Sequence, residues 1–172
     1  MIKKHERFTW AGEFLNVRSD DYILEIGCGV GLAAEEIAQR LTKGKITAID
    51  RSPAMIAKAI NRNKKFVEEG TAQFFETELL RFSNKGAKYD KVFCFNINFF
   101  WTNKSIAGEV SILRSLLAKK GVLYIFYGPM FGDGFAKIST SVCKNLEREK
   151  LTRIERVHNE SLRCCCFKAA FP

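Results

Sequence analysis

Three glycines at alternate positions, Gly27, Gly29 and Gly31, follow the run Ile23-Leu24-Glu25-Ile26. Without β-carbons, such a turn adopts unusual dihedrals and lets a ligand approach the backbone closely. A helical pattern begins at Leu32, so outward-pointing amides of a helix start lie at the same turn. These features suit a nucleotide-type ligand. The dinucleotide fingerprint G-x-G-x-x-G would need glycine at 32, where Leu32 stands. Glu25, two residues before the first glycine, would repel a pyrophosphate and favour an ammonium group. Asp50 closes a second apolar run, 23 residues after Gly27. A carboxylate there can accept two hydrogen bonds from vicinal ribose hydroxyls. Its alternative role is to cap the next helix, in competition with Ser52. Together the residues ask for a ligand with a ribose and an amino acid and no phosphate.

The elements that must position them alternate between strand and helix. A helix over 5–17 places Phe8, Ala11, Phe14 and Leu15 on one stripe. Strands are expected at 22–26, 45–50, 72–76, 91–96 and 122–127. Helices are expected at 32–41, 53–65, 105–119 and 135–149, with a short helix or loop at 79–84. Ser52-Pro53 is a hydroxyl cap followed by proline at the first helical position. Lys119-Lys120-Gly121 reads as a cationic last turn with glycine just past it. Two last strands, 153–157 and 162–168, suggest an antiparallel hairpin. Consecutive β–α units imply a parallel sheet with helices on both faces, joined by right-handed crossovers. The expected fold is therefore α/β, a three-layer αβα sandwich. Its seven-stranded sheet is mostly parallel, with a C-terminal antiparallel hairpin. Ligands of such sheets sit outside the carboxyl ends of the strands, where strand order switches.

At 172 residues the chain is expected to be one domain spanning 1–172, with the helix within 1–20 as a candidate substrate lid. Its 47% apolar and 27% charged residues exclude disordered and fibrous classes. The longest apolar stretches are too short to span a bilayer, and no secretory segment opens the chain. The six cysteines include no C-x-x-C pair, and no histidine stands at a zinc-ligand spacing. They read as small buried residues of a reducing cytoplasm, with no metal expected. The net charge of +9 is spread along the chain without a block of like charges, so solvated helix faces explain it better than a nucleic-acid groove.

On these residues the chain resembles the class I, Rossmann-like S-adenosylmethionine-dependent methyltransferases, in particular the small single-domain type. Leu24-Glu25-Ile26-Gly27-Cys28-Gly29-Val30-Gly31 is similar to that family's first motif. The run Ile46-Thr47-Ala48-Ile49-Asp50-Arg51-Ser52-Pro53-Ala54-Met55 is similar to its second. Tyr89-Asp90-Lys91-Val92-Phe93 resembles the approach to its fourth strand. Leu116-Leu117-Ala118-Lys119-Lys120-Gly121-Val122-Leu123 resembles the approach to its fifth, with Lys120 where proline is usual. The resemblance implies S-adenosylmethionine as cofactor and S-adenosylhomocysteine as product. Gly27, Cys28, Gly29 and Gly31 would form the turn under the methionine part, with Glu25 facing its amino group. Asp50 would hold the ribose, with Arg51 or Met55 near the adenine. Glu76 would accept from the adenine amino group, and the Thr77 amide would contact the ring. Glu76-Thr77 replaces the family's usual Asp-Ala. Asn96 would lie beside the methionine part.

The segment Asn96-Ile97-Asn98-Phe99 lacks the [N/D]-P-P-[Y/F] motif of amino-group methylases of nucleic acids and proteins. This points to a small-molecule acceptor bordered by Phe99, Trp101, Tyr127 and Phe131. At least one of Phe99, Phe100 and Trp101 is expected in the core. His5, His158, Tyr127 and Asp133 are the candidate bases, and Tyr127, at the end of strand five, is the single catalytic candidate. The alternatives are methylation of a nucleic acid or other macromolecule, a non-catalytic cofactor-binding domain, and an NAD-dependent reductase, which Leu32 and the chain length disfavour.

Overall fold

The structure is a computed structural model that describes residues 5–129 and 134–172. Seven strands form one sheet in the order β3-β2-β1-β4-β5-β7-β6. They are β1 (Tyr22–Ile26), β2 (Lys45–Asp50), β3 (Ala72–Glu76), β4 (Tyr89–Phe95), β5 (Leu117–Tyr127), β6 (Thr152–Asn159) and β7 (Cys164–Ala170). The pairs β3/β2, β2/β1, β1/β4 and β4/β5 are parallel, while β5/β7 and β7/β6 are antiparallel. The chain winds outward from β1 to β3 and then returns to β4. The switch in strand order therefore lies between β1 and β4, beside the glycine turn.

Side chains alternate across each strand, so each face of the sheet acquires its own helices. On one face, α1 (Glu6–Phe14), α2 (Leu32–Ala38) and α3 (Pro53–Arg62) bury Phe8, Ala34, Ile37 and Ile56 over Ile23, Ile46, Phe93 and Phe126. After α3 comes the short α4 (Lys64–Glu68). On the other face, α5 (Phe99–Thr102), α6 (Ala107–Leu116) and α7 (Gly134–Arg148) bury Phe100, Val110, Leu113 and Val142 over Leu24, Val92, Ile125 and Phe167. This is the three-layer sandwich, with one core in each interlayer. Much of the phenylalanine excess lies in the first. Phe8 meets Phe95 at 5.0 Å, Trp10 meets Phe126 at 5.5 Å and Phe14 meets Tyr124 at 6.1 Å, all edge to face. The cysteines are free and, apart from half-buried Cys143, buried.

Several boundaries differ from the sequence expectation, and three of them change how the chain packs. Helix α6 stops at Leu116, and Lys119-Lys120-Gly121 belongs to β5 instead of capping the helix. Leu116 and Leu117 are both buried, and leaving the helix lets Leu117 pair with Tyr89 on β4. Gly121 serves a close approach there: a β-carbon would lie 2.9 Å from the Tyr89 carbonyl oxygen. The helix expected over 53–65 breaks at Asn63, whose side chain is drawn into the fold. The last hairpin is longer than expected, because β6 pairs with β7 along Thr152 to Asn159. Among the described residues, no helix is long and apolar enough to cross a membrane.

Candidate functional site

The glycine turn is held by backbone bonds to the neighbouring strand. The Gly27 and Cys28 N–H groups both donate to the Ile49 carbonyl, at 2.8 and 3.0 Å, and Gly31 donates to Cys28 at 3.0 Å. Gly27, Gly29 and Gly31 all take positive φ, at 71°, 52° and 76°. A β-carbon at Gly27 would lie 2.4 Å from Ile97 Cδ1, so glycine here lets the β1 and β4 exits approach each other. A β-carbon at Gly29 would meet nothing within 4 Å, so open space lies against that backbone.

Asp50 joins the turn to the following helix. Its Oδ2 accepts from the Gly29 N–H at 2.9 Å and its Oδ1 from the Ser52 N–H at 2.9 Å. Ser52 in turn caps α3, accepting from the Met55 N–H at 3.4 Å. Of the roles weighed for Asp50, the capping of α3 is therefore taken by Ser52, while Asp50 holds the glycine loop.

Glu25 is 2% exposed, and its Oε2 has no hydrogen-bond partner among the described residues. Burial, and next the charge of Asp50, hold its carboxyl well above the usual carboxylate range, with the Ala34 N–H partly opposing them. A carboxyl buried in this way is costly to ionise unless a donor or a cation faces it.

A cleft of about 420 Å³ opens at the carboxyl ends of β1, β2 and β4. Of the sequence candidates, Gly27, Asp50, Arg51, Thr77, Asn96 and Phe99 line it. The Thr77 N–H donates to the Asp50 carbonyl at 2.9 Å, which places it at the β2/β3 exit. Glu25 and Cys28 are buried and do not line the cleft, while Met55 is half-buried in the first turn of α3. Glu76 is exposed at the end of β3, outside the lining, and Glu78 lines the cleft in its place.

The β4 and β5 exits differ most from expectation. Asn96 lines the cleft, but its side-chain amide is engaged with Gly128. Oδ1 accepts from the Gly128 N–H at 2.9 Å and Nδ2 donates to the Gly128 carbonyl at 3.0 Å. Tyr127, the catalytic candidate, is buried, and its hydroxyl donates to the Ile97 carbonyl at 2.6 Å. Burial, with the thiols of Cys94 and Cys165 nearby, pushes the phenol far above its usual range. This geometry suits a strut between strands and not a proton acceptor facing the cleft. Phe100 is fully buried, and Trp101 packs half-buried against the same core, away from the cleft lining. His158 stacks on Phe135 at 4.6 Å, and His5 is exposed at the start of α1. Phe131 and Asp133 lie outside the described residues.

Sequence reasoning assigned no role to Glu78, Leu79, Leu80, Ile97, Asn98 or Glu109, all of which line the cleft. Leu80, 53% exposed beside the β3 exit, had a local signal as an apolar residue in a polar loop. Glu109 comes from α6, on which no motif marked it. No group of three or more His, Cys, Asp or Glu among the described residues could hold a metal ion.

Residues 23–121 match the family model described as a methyltransferase domain. Among curated proteins, a malonyl-[acyl-carrier protein] O-methyltransferase of Acetivibrio thermocellus is 37% identical over 102 residues, covering 59% of this chain and 33% of that protein. One of Bacillus cereus is 37% identical over 130 residues, covering 75% of this chain and 45% of that protein. The chain thus spans less than half the length of these relatives. Among solved structures, an S-adenosylmethionine-dependent methyltransferase of Aquifex aeolicus superposes with a TM-score of 0.77 at 16% identity, over 97% of this chain and 93% of that one. The magnesium protoporphyrin IX methyltransferase of Synechocystis, solved with bound S-adenosylmethionine, gives 0.69 at 18% identity, over 98% and 79%. At such identities the superpositions speak for the fold. The family match covers the glycine turn, Asp50, and β1 to the start of β5, and the chain belongs to the class I, seven-strand S-adenosylmethionine-dependent methyltransferases.

Proposed function

We propose that this chain transfers the sulfonium methyl group of S-adenosylmethionine to a small-molecule acceptor. The observation that carries the reading is the cleft at the β1/β4 switch, lined by Gly27 of the glycine turn and by Asp50, which also holds that turn. Its residues fit the cofactor. The buried Glu25 Oε2, unpartnered among the described residues, could take up an ammonium group behind the turn, and the open space at Gly29 would allow close approach to the backbone. Asp50 lines the cleft where ribose hydroxyls would bind, and Leu79 and Ile97 supply apolar walls. The volume falls within the usual range of about 300–1,000 Å³ for small-ligand sites.

When bound, the cofactor supplies an electrophilic methyl group. The chain must fix an acceptor in line with the S–CH₃ bond and exclude water. Phe99 and Ile97, on the β4 side of the cleft, would border the methyl group. With Tyr127 committed to Ile97, no described side chain is assigned as a general base. This suits an acceptor that is already nucleophilic, such as a carboxylate or a neutral amine. The acyl-carrier acceptor named for the curated relatives brings a carboxylate, and we propose acceptors of that kind as the first to assay.

Thermal denaturation with and without ligand tests the cofactor reading. S-adenosylmethionine or S-adenosylhomocysteine should raise Tm, and Asp50→Ala should abolish the rise. A folded wild-type protein that shows no shift at millimolar ligand would refute it. Transfer of a labelled methyl group, assayed with malonyl-carrier protein, small acids, small amines and tRNA, then separates the acceptor classes.

A further inference from the structure

Resting on that reading, we infer that Asn63 and Arg62 at the end of α3 are positioning residues for the amino-acid end of the cofactor site, acting through the glycine turn. Two consecutive carbonyls on the outer side of the turn are held by these two consecutive residues. Arg62 Nε donates to the Val30 carbonyl at 3.1 Å, and Asn63 Nδ2 donates to the Gly31 carbonyl at 3.1 Å. The carbonyl and N–H of a trans peptide point in opposite directions. The Gly31 carbonyl also accepts from the Glu35 N–H of α2 at 3.1 Å, so the bond from Asn63 ties the start of α2 to α3 and keeps the Leu32 N–H turned away from α3. Leu32 opens α2, so its N–H has no partner within that helix.

Packing leaves the turn little freedom to do otherwise. A β-carbon at Gly31 would lie 2.6 Å from Asn63 Nδ2 and 2.9 Å from the Ala59 β-carbon, so α3 rests directly on the turn. Arg62 is fixed in its turn by Glu35 of α2, at 3.3 Å. The α2 side and the α3 side of the loop are thus joined through one guanidinium.

A purely local role does not account for Asn63. Ending α3 needs only the bond from the Asn63 N–H to the Ala59 carbonyl, at 3.0 Å, which Nδ2 repeats at 2.9 Å. The bond to Gly31 spans 32 residues, and it is made by a side chain 0% exposed whose Oδ1 has no partner among the described residues. A buried oxygen without a donor destabilises the fold. An apolar residue of the same size would avoid that penalty but would release the turn. Local rules broken without a stability gain are expected where a site must be held.

The test compares two ligands by calorimetry: S-adenosylhomocysteine, and 5′-methylthioadenosine, which has the adenosine and sulfur but no amino acid. Asn63→Leu keeps the side-chain size and removes both the donor and the unpartnered oxygen. It should weaken S-adenosylhomocysteine by up to about tenfold, the scale of one net hydrogen bond, and leave 5′-methylthioadenosine within about twofold. Its Tm should equal or exceed that of the wild type. Arg62→Met, at an exposed position, should show the same selectivity at about threefold. If Asn63→Leu does not fold, Asn63→Asp, which keeps the shape and sets a carboxylate oxygen against the Gly31 carbonyl, replaces it in the comparison with Arg62→Met. Equal weakening of both ligands, or unchanged S-adenosylhomocysteine affinity in the folded variants, would overturn the inference. Failure of the wild type to bind either ligand would instead remove the functional reading on which it rests.

Discussion

The two walls of the cleft are built in opposite ways. The β1–β2 wall is made of backbone groups and one carboxylate: Gly29 bonds Asp50, Asp50 bonds Ser52, and Gly27 bonds Ile49. The β4–β5 wall is made of side chains that reach across to the neighbouring strand's exit: Asn96 to Gly128 and Tyr127 to Ile97. On the first wall, in the function proposed above, residue types answer to a ligand. On the second, polar side chains at the strand ends bond backbone groups of the neighbouring exit. Substitutions should therefore act through binding on the first wall and through stability on the second.

Asp50→Ala is the strongest test of that contrast. It removes the acceptor for two backbone N–H groups and the carboxylate facing the cleft. Hydrogen bonds to charged groups are worth about 1.5–3 kcal/mol each, so S-adenosylhomocysteine affinity should fall by about 100-fold, read by calorimetry. A variant that binds within about threefold of wild type would place the binding determinants elsewhere.

Gly27→Ala strikes where the walls meet. The new methyl group would overlap Ile97 at a residue whose φ is +71°. Left-handed backbone costs about 1–2 kcal/mol and overpacking about 1–3 kcal/mol, so Tm should drop by roughly 5–15 °C. Adding Ile97→Ala should recover the overpacking part and leave the backbone part. A double variant no more stable than Gly27→Ala would show that the walls are not in contact there.

The same contrast explains what could be read from the sequence. Glycine spacing, a strand-end acid and a hydroxyl-proline helix start are local, because each works through the backbone beside it. They located the β1–β2 wall, and the alternation of apolar patterns gave the sheet and its two helix layers. Asn96 and Tyr127 stood at the right strand ends, but their partners lie 32 and 30 residues away in the chain. Nothing in the local pattern says whether a side chain at a strand end faces a ligand or the next strand. Asn63 was invisible for the same reason. Within a run that otherwise reads as one continuous helix, only the packing of α3 on Gly31 gives it a task. The end of α6 was misread because burial of Leu117 against β4 outweighed a good helix stop at Lys119-Lys120-Gly121.

Glu25→Gln sharpens the comparison with an effect of opposite sign. The Glu25 carboxyl is held above its unfolded range by burial and by Asp50. The folded state therefore keeps a proton that the unfolded chain loses near pH 4.3. Stability is lost as pH rises from there towards the folded value. Glutamine carries no such penalty. The variant should match wild type near pH 4 and exceed its Tm increasingly towards pH 8, while binding S-adenosylmethionine more weakly. A Tm difference independent of pH would mean that Glu25 does not titrate in this window.

Tyr127→Phe is the smallest expected change and decides what the second wall is for. The substitution keeps the ring, which packs edge to face on Phe167 at 6.2 Å, and deletes only the hydroxyl that donates to Ile97. A neutral hydrogen bond is worth about 1 kcal/mol, so Tm should fall by roughly 2–4 °C. As a strut, Tyr127 contributes nothing to proton transfer. Methyl transfer to whichever acceptor is turned over should then stay within about threefold of wild type, because removing a true acid or base typically lowers rates by about 100-fold or more. The shape of the pH–rate profile should be unchanged. A large fall in kcat, with loss of one limb of that profile, would return the tyrosine to the chemistry and make the two walls alike.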